Sequence, residues 1–286
     1  MKLIFTILSL LLPTAKIFAA DALPPVFMGH FYVALDDASF DALRKSPEVA
    51  ALAHVVERHT VAGRDEWTGF YVQGRQTYME FFGVQNLPEG MRLGDTGLGL
   101  TVEQAGGVSA VAARLRTAFG ERIEITATPR TTLTGTIPWF TSTQIKSDAP
   151  ESMETWFMEN DPGYLAAMHP GATIENPFSR EQSLSWSFLP DHELDNITGI
   201  TAALKPAEIA QLATELRVIG WPVRVQNKGF VAAGPDLKLV VLPAGARAGI
   251  QQVDLHLRRS VAKQTIALGN IQLLLDGDTG HLVFWR

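Results

Sequence analysis

The chain contains no cysteine. That absence removes disulfides, thiolate metal sites, a cysteine nucleophile and a lipid-attachment cysteine, so stability must come from core burial alone. Positive charge is also sparse: 24 Lys and Arg stand against 30 Asp and Glu, for a net charge of −6. No basic cluster or basic-aromatic stripe is available to neutralise phosphates, and no nucleic-acid partner is expected. After the first residues, no apolar run approaches the roughly 18 residues that a spanning helix needs. The G-x-S-x-G elbow of serine hydrolases is missing. Gly94-Asp95-Thr96-Gly97-Leu98-Gly99 is glycine-rich, but it precedes a strand instead of joining a strand to a helix, so it is not a phosphate loop.

What the chain does have begins with Met1-Lys2, the apolar run Leu3 to Leu12, Pro13, and small residues around Ala19, Ala20 and Ala22. This is the pattern of a secretory signal peptide, with Ala20-Asp21-Ala22 as an A-x-A cleavage site. Residues 1–22 are therefore read as a leader, and the mature protein as periplasmic or secreted, with no integral membrane segment once the leader is removed. The 286 residues, 46% of them hydrophobic, can bury a large core.

Periodicity along the mature chain repeats one order of elements. Val26 to Leu35 alternates as a strand, Ser39 to His54 is amphipathic, and strand-like runs follow at Val55 to Val61, Trp67 to Gln73 and Thr77 to Phe82. Ser46-Pro47 is a cap followed by a first-turn proline, which predicts two short helices rather than one. The order recurs with Gly97 to Glu103, a helix over Val108 to Phe119, and strands at Arg122 to Thr128, Thr136 to Thr143 and Met153 to Glu159. A third copy runs from Ile197 to Leu204 through a helix opened by Pro206 and ended by Gly220, to strands at Val223 to Gln226, Phe230 to Ala232 and Leu237 to Leu242. The tail, with runs at Ile250 to Arg258, Ile271 to Leu275 and Leu282 to Trp285, is read as a reduced fourth unit.

The expected fold class is α+β, with tandem βαβββ modules forming two domains of which the second is reduced. Residues 23–160 make the first and residues 196–286 the second. Residues 161–195, with Pro162, Pro170, Pro177 and Pro190 and weak periodicity, read as a linker.

The strongest local signal is the match between Tyr78-Met79-Glu80 and Phe157-Met158-Glu159, each on the last strand of its unit. Strand alternation puts Tyr78, Glu80 and Phe82 on one face and Met79 and Phe81 on the other, while His30, Tyr32 and Ala34 share a face of the opening strand. A carboxylate flanked by aromatics on a strand face is costly unless paired or bound to a cation. Arg58 and Arg75 are candidate pairing partners. Trp67, Tyr71, Tyr78 and Trp139 line a pocket or belong to the core. His169 and His192 fall in the linker and are expected in solvent. His256 and His281 have no matching carboxylate and read as structural.

The run from Gly29-His30-Phe31-Tyr32 through Trp67-Thr68-Gly69 to Thr77-Tyr78-Met79-Glu80-Phe81-Phe82 resembles the vicinal oxygen chelate superfamily. That superfamily includes glyoxalases, bleomycin-resistance proteins and extradiol dioxygenases. Trp156 to Leu165 and Ile197-Thr198-Gly199 extend the likeness over most of the mature chain, and to an uncharacterised bacterial family within that superfamily. The resemblance implies that two βαβββ units pair into a cleft, with metal ligands from the first and last strands of each. Carried over by position, His30, Glu80 and Glu159 would hold a divalent metal ion, whereas the opening strand of the second unit offers only Gly97, Gly99 and Thr101.

One imidazole and two carboxylates suit a divalent ion acting as a Lewis acid in a lyase or isomerase. Iron-dependent oxygen chemistry, which wants two histidines, is not expected. A small-molecule ligand would then sit in the first-domain cleft, against Tyr32, Tyr78, Phe82 and Phe157. The alternative function is a metal-free protein that sequesters a ligand or docks on a partner. Fold resemblance alone does not choose between them.

Overall fold

The computed structural model describes residues 23–284 except 134, 148, 172, 173, 175 and 176; the expected leader over residues 1–22, and Trp285 of the last expected strand, lie outside the described residues. None of the described helices is long and apolar enough to cross a membrane.

The first unit is β1 (Val26–Leu35), α1 (Asp37–Lys45), α2 (Pro47–Leu52), β2 (His54–Ala62), β3 (Asp65–Gln73) and β4 (Tyr78–Gly83). The predicted break between helices is present. Asp36 accepts a hydrogen bond from the Ser39 amide to start α1, and Ser46, held in extended backbone, accepts one from the Val49 amide to start α2. A side-chain oxygen at each N-cap satisfies an amide that has no partner inside the helix.

The second unit is β5 (Thr96–Val102), α3 (Gly107–Phe119), β6 (Ile123–Thr132), β7 (Gly135–Ile145) and β8 (Glu154–Asn160). Val108, Val111, Ala112 and Leu115 of α3 are buried and share one stripe of the helix. The eight strands form one sheet in the order β2-β3-β4-β1-β5-β8-β7-β6. At its centre β1 and β5 run antiparallel, while the first and last strands of each unit pair in parallel. The sheet curls until its edge strands β2 and β6 lie against each other without pairing. The helices cover the convex side, and the concave side encloses a cleft.

Residues 161–193 are more than a tether. They hold α4 (Pro162–Met168) and α5 (Arg180–Leu184) and cross the rim of the curled sheet. The Phe178 amide donates to the Glu103 carbonyl near β5, and Ser187 donates to Gln73 on the concave face of β3.

The third unit is β9 (Leu194–Leu204), α6 (Pro206–Val218), β10 (Val223–Gln226), β11 (Gly229–Ala233) and β12 (Lys238–Pro243). The reduced fourth is a helix-free hairpin of two long strands, β13 (Gly249–Leu268) and β14 (Ile271–Phe284). The separate runs expected in the tail are thus continuous strands. Bulges between His256 and Gln264, and Gly277 at φ 62°, carry the pairing across the polar stretches between those runs. These strands form a second sheet, β10-β11-β12-β9-β13-β14. The fold is therefore α+β, with tandem βαβββ modules in two sheets, the second reduced.

One hydrophobic core runs through both sheets, from Phe31 and Phe81 of the first to Phe230 and Phe284 of the second. Phe31 and Phe284 meet edge to face across the junction, 6.3 Å between ring centres.

Candidate functional site

The concave face is floored by β1 and β4. Parallel pairing sets His30 beside Tyr78 and Tyr32 beside Glu80, so the imidazole and the carboxylate lie on neighbouring strands of one face, as strand alternation predicts. Both are buried. The His30 ring stacks on Tyr78 with ring centres 4.4 Å apart at 7°, and meets Trp156 edge-on at 5.2 Å. Burial lowers its pKa to about 3, so it is neutral at every physiological pH. Among the described residues neither ring nitrogen has a hydrogen-bond partner.

Glu80 is held by an aromatic cradle and not by an arginine. Tyr71 donates to its Oε1 at 2.5 Å, and the Trp67 indole donates to the same oxygen at 3.2 Å and to the Tyr71 oxygen at 3.1 Å. Burial raises the Glu80 pKa to about 7, against the opposing pull of those two donors and of the Arg58 charge. Arg75, the other expected partner, pairs instead with Asp195 at 2.7 Å and Glu181 at 3.0 Å.

Glu159 is on the other side of the sheet. Its carboxylate accepts from the Gly106 amide at 3.0 Å and the Val108 amide at 2.8 Å, capping α3, whose own N-cap residue Gly106 has no side chain to do so. The free amides and positive dipole end of a helix are a natural seat for a carboxylate. Phe157 shares that convex side, fully buried in the core, and is not a wall of the cleft.

The cause is a one-residue slip. In the parallel pairing of β5 with β8, Gly99 is partnered by Trp156 and Thr101 by Met158, while Gly99 also faces His30 across the sheet centre. The structural counterpart of Tyr78-Met79-Glu80 is therefore Trp156-Phe157-Met158, and a shift of one position turns every side chain to the opposite face.

A metal centre of the expected kind does not fit these residues. Met158 stands where the second carboxylate would be, and Gly99 stands opposite His30. A Cβ on Gly99 would come within 2.6 Å of the His30 ring and 2.8 Å of Trp156, so no longer ligand has room there. Among the described residues no group of three or more His, Asp or Glu side chains could hold a metal ion.

The profile of one family, described as a family of unknown function, matches residues 28–284. The chain belongs to DUF5829. No curated protein matches its sequence. Among solved structures, this DUF5829 chain is similar to the Mn(II)-bound glyoxalase from Novosphingobium aromaticivorans, at 11% identity and a TM-score of 0.38 over 90% of this chain and 81% of that one. It is similar to a xylose isomerase-like TIM barrel/4-hydroxyphenylpyruvate dioxygenase fusion protein at 10% identity and a TM-score of 0.37, over 80% of this chain and 35% of that one. A mutant of 4-hydroxymandelate synthase from Streptomyces coelicolor follows at 12% identity and a TM-score of 0.35, over 76% of this chain and 62% of that one. The DUF5829 chain thus spans about a third of the fusion protein. These likenesses are distant. The strand order and repeated βαβββ modules of the DUF5829 chain are those that the resemblance read from its sequence implies.

The cleft of this DUF5829 chain is mainly aromatic. Tyr32 and Phe82 are buried in its floor, where Tyr32 donates to Glu154 at 2.9 Å and stacks on Trp156. Tyr78, Trp156 and Trp67 are only half-buried on this face. Trp67 also stacks on Trp139 of β7, with ring centres 6.3 Å apart. Over this space lies Trp186 of the 161–193 segment, its ring 4.7 Å from the Arg58 guanidinium.

Of the remaining histidines, His169 and His192 are half-buried and not freely solvated, each with one buried nitrogen lacking a partner. His256 and His281 do find carboxylates, Asp195 at 3.1 Å and Asp254 at 2.8 Å, on the second sheet.

Proposed function

We propose that the protein is an exported, metal-free binder of a small molecule, held in the concave cleft of the first sheet beneath residues 161–193. The leader-like residues 1–22 support export to the periplasm or beyond, and the lack of a basic surface argues against a nucleic-acid partner. The observation that carries the reading is the identity of the cleft-facing residues in the second unit. Gly99 and Met158 replace ligating side chains, Glu159 serves as a helix cap, and half-buried tyrosine and tryptophan rings line what remains. Apolar aromatic walls with a few polar groups are the usual make-up of a small-molecule pocket.

A lyase or isomerase reading with a divalent metal needs at least three ligands at one point, and among the described residues this face offers His30 and Glu80 alone. The test has two arms. After equilibration with Mn(II), Fe(II) or Zn(II) and gel filtration, the wild type and Glu80→Gln should retain equal, substoichiometric metal. Titration with 2-naphthamide, a neutral flat aromatic, should saturably quench tryptophan emission in the wild type and not in Met158→Trp, which fills the cleft. One equivalent of metal in the wild type that is lost in Glu80→Gln overturns the metal-free reading, and absence of saturable quenching overturns the cleft.

A further inference from the structure

We propose that the cleft contains a carboxylate subsite on β2, at Arg58 and Thr60, so that the natural ligand is a small monocarboxylic acid with a flat apolar body. The inference rests on the reading of the cleft as a small-molecule site. The pairing of β2 with β3 runs without a bulge, matching Arg58 with Gly69 and Thr60 with Trp67. Residues two apart on a strand share a face, so both side chains lie on the concave side with the Trp67 indole that reaches Glu80. Opposite Arg58 there is no side chain, and the guanidinium lies between the Tyr71 ring, 5.1 Å from its centre, and Trp186.

Two buried polar atoms of this pair have no partner: Nη2 of Arg58 and Oγ1 of Thr60. Buried donors and acceptors left unpaired cost about 1–3 kcal/mol each, so native proteins rarely keep two at adjacent same-face positions without something to satisfy them. Arg58 also makes no ion pair among the described residues. Glu80, whose carboxylate feels the Arg58 charge, is taken up by Tyr71 and Trp67.

A carboxylate has two oxygens, one for the guanidinium N–H and one for the threonine hydroxyl, and Arg is the side chain best shaped for that contact. Glu80 sets the charge limit, because a dianion such as phosphate would bring a second negative charge toward its carboxyl group. The half-buried rings of Tyr78 and Trp156 then receive the apolar body.

The experiment compares 2-naphthoate with 2-naphthamide on the full mature chain, in the wild type, Arg58→Gln and Thr60→Val, by tryptophan quenching. The acid should bind the wild type at least about tenfold tighter than the amide, the gain of one charge-assisted pair. Arg58→Gln should bring that ratio close to one by weakening the acid far more than the amide. Thr60→Val, which keeps shape and removes only the hydroxyl, should lower the ratio several-fold. Inorganic phosphate should not displace the acid. Equal binding of acid and amide to the wild type, or a preference for the acid that survives both substitutions, overturns the subsite and leaves the cleft standing. Displacement by phosphate overturns the choice of a carboxylate, and failure of both naphthalenes to bind overturns the subsite together with the cleft.

Discussion

Glu215 stands on the inward face of α6, almost fully buried, against a small cavity that Glu151 and Gln211 also line. Burial, and secondarily the Glu151 charge, raises its pKa to about 8, with Gln211 and Arg122 pulling the other way. In the unfolded chain the same group titrates near 4.5. Between those two values the folded state binds more protons than the unfolded one, so stability falls as pH rises from about 4.5 to about 8 and is flat above. Glu80 adds a penalty of the same sign over the narrower window up to about 7. The neutral isostere Glu215→Gln should therefore raise stability at pH 9, by up to about 4 kcal/mol, and leave it nearly unchanged at pH 4.5. Urea unfolding at the two pH values checks this, and an equal gain at both would exclude ionisation as the cause. A carboxylate among apolar residues of an amphipathic helix could not be assigned in the sequence, because Glu215 falls beside the buried stripe and its cover comes from another module. Glu80 was legible, since alternation on one strand fixes its face. Glu159 was not, because the letters of two strands can be aligned without knowing the register that decides which face each letter takes. Arg58 was legible only as a pairing partner for a carboxylate, and Thr60 gave no signal at all. Their significance lies in what does not reach them in three dimensions.

Among the elements, the strands and long helices were readable because each buries one face and so repeats apolar residues at period 2 or 3.6. The two short helices between the sheets were missed, although Asp161-Pro162 and Ser179 with Gln182 carry the cap signals that the structure uses. Such helices bury too few residues to show a period. The most telling element is β5, whose concave face presents Gly97 and Gly99 to three rings. A Cβ on Gly97 would approach Tyr32 to 2.2 Å, and one on Gly99 would meet His30 and Trp156 together. Two of those rings, His30 and Tyr32, are buried in the floor and have little room to retreat. Gly99→Ala should thus cost about 1–3 kcal/mol through overpacking. Gly245→Ala, where nothing lies within 4 Å of the new Cβ, should stay within about 0.5 kcal/mol of the wild type. Paired urea titrations of the two variants give the comparison. If Gly99→Ala were as mild as Gly245→Ala, the aromatic floor would be looser than described and the case for exclusion of a ligand at position 99 would weaken.

For the whole molecule, the sequence suggests two bodies joined by a linker, and the structure joins them at many points. Arg180, buried in the connecting segment, pairs with Glu103 of the first half at 3.0 Å, with Asp236 of the second, and with the Met28 carbonyl at the start of β1. Trp221 donates to the Val26 carbonyl at 3.2 Å, and Asn270 at the tip of the β13–β14 hairpin reaches Ser39 and Asp36 at the start of α1. The Ile250 amide donates to Thr96 at 3.2 Å, tying β13 to β5. Because the apolar core is continuous across these contacts, cutting the chain would expose on each piece a surface that the other now covers. Residues 23–193 and 194–284 expressed separately should each fail to unfold cooperatively, whereas residues 23–286 in one chain should unfold in one urea transition, coincident by tryptophan emission and far-ultraviolet circular dichroism. The cleft depends on the same continuity. Trp186 is held over Arg58 by a segment anchored at Arg180 on one side and, through the Glu193 amide to the Leu52 carbonyl, at the first unit on the other. If residues 23–193 alone folded with the stability of the intact chain and still bound 2-naphthamide, the second sheet would be a separate body, and its contacts with the first would have no part in shaping the cleft.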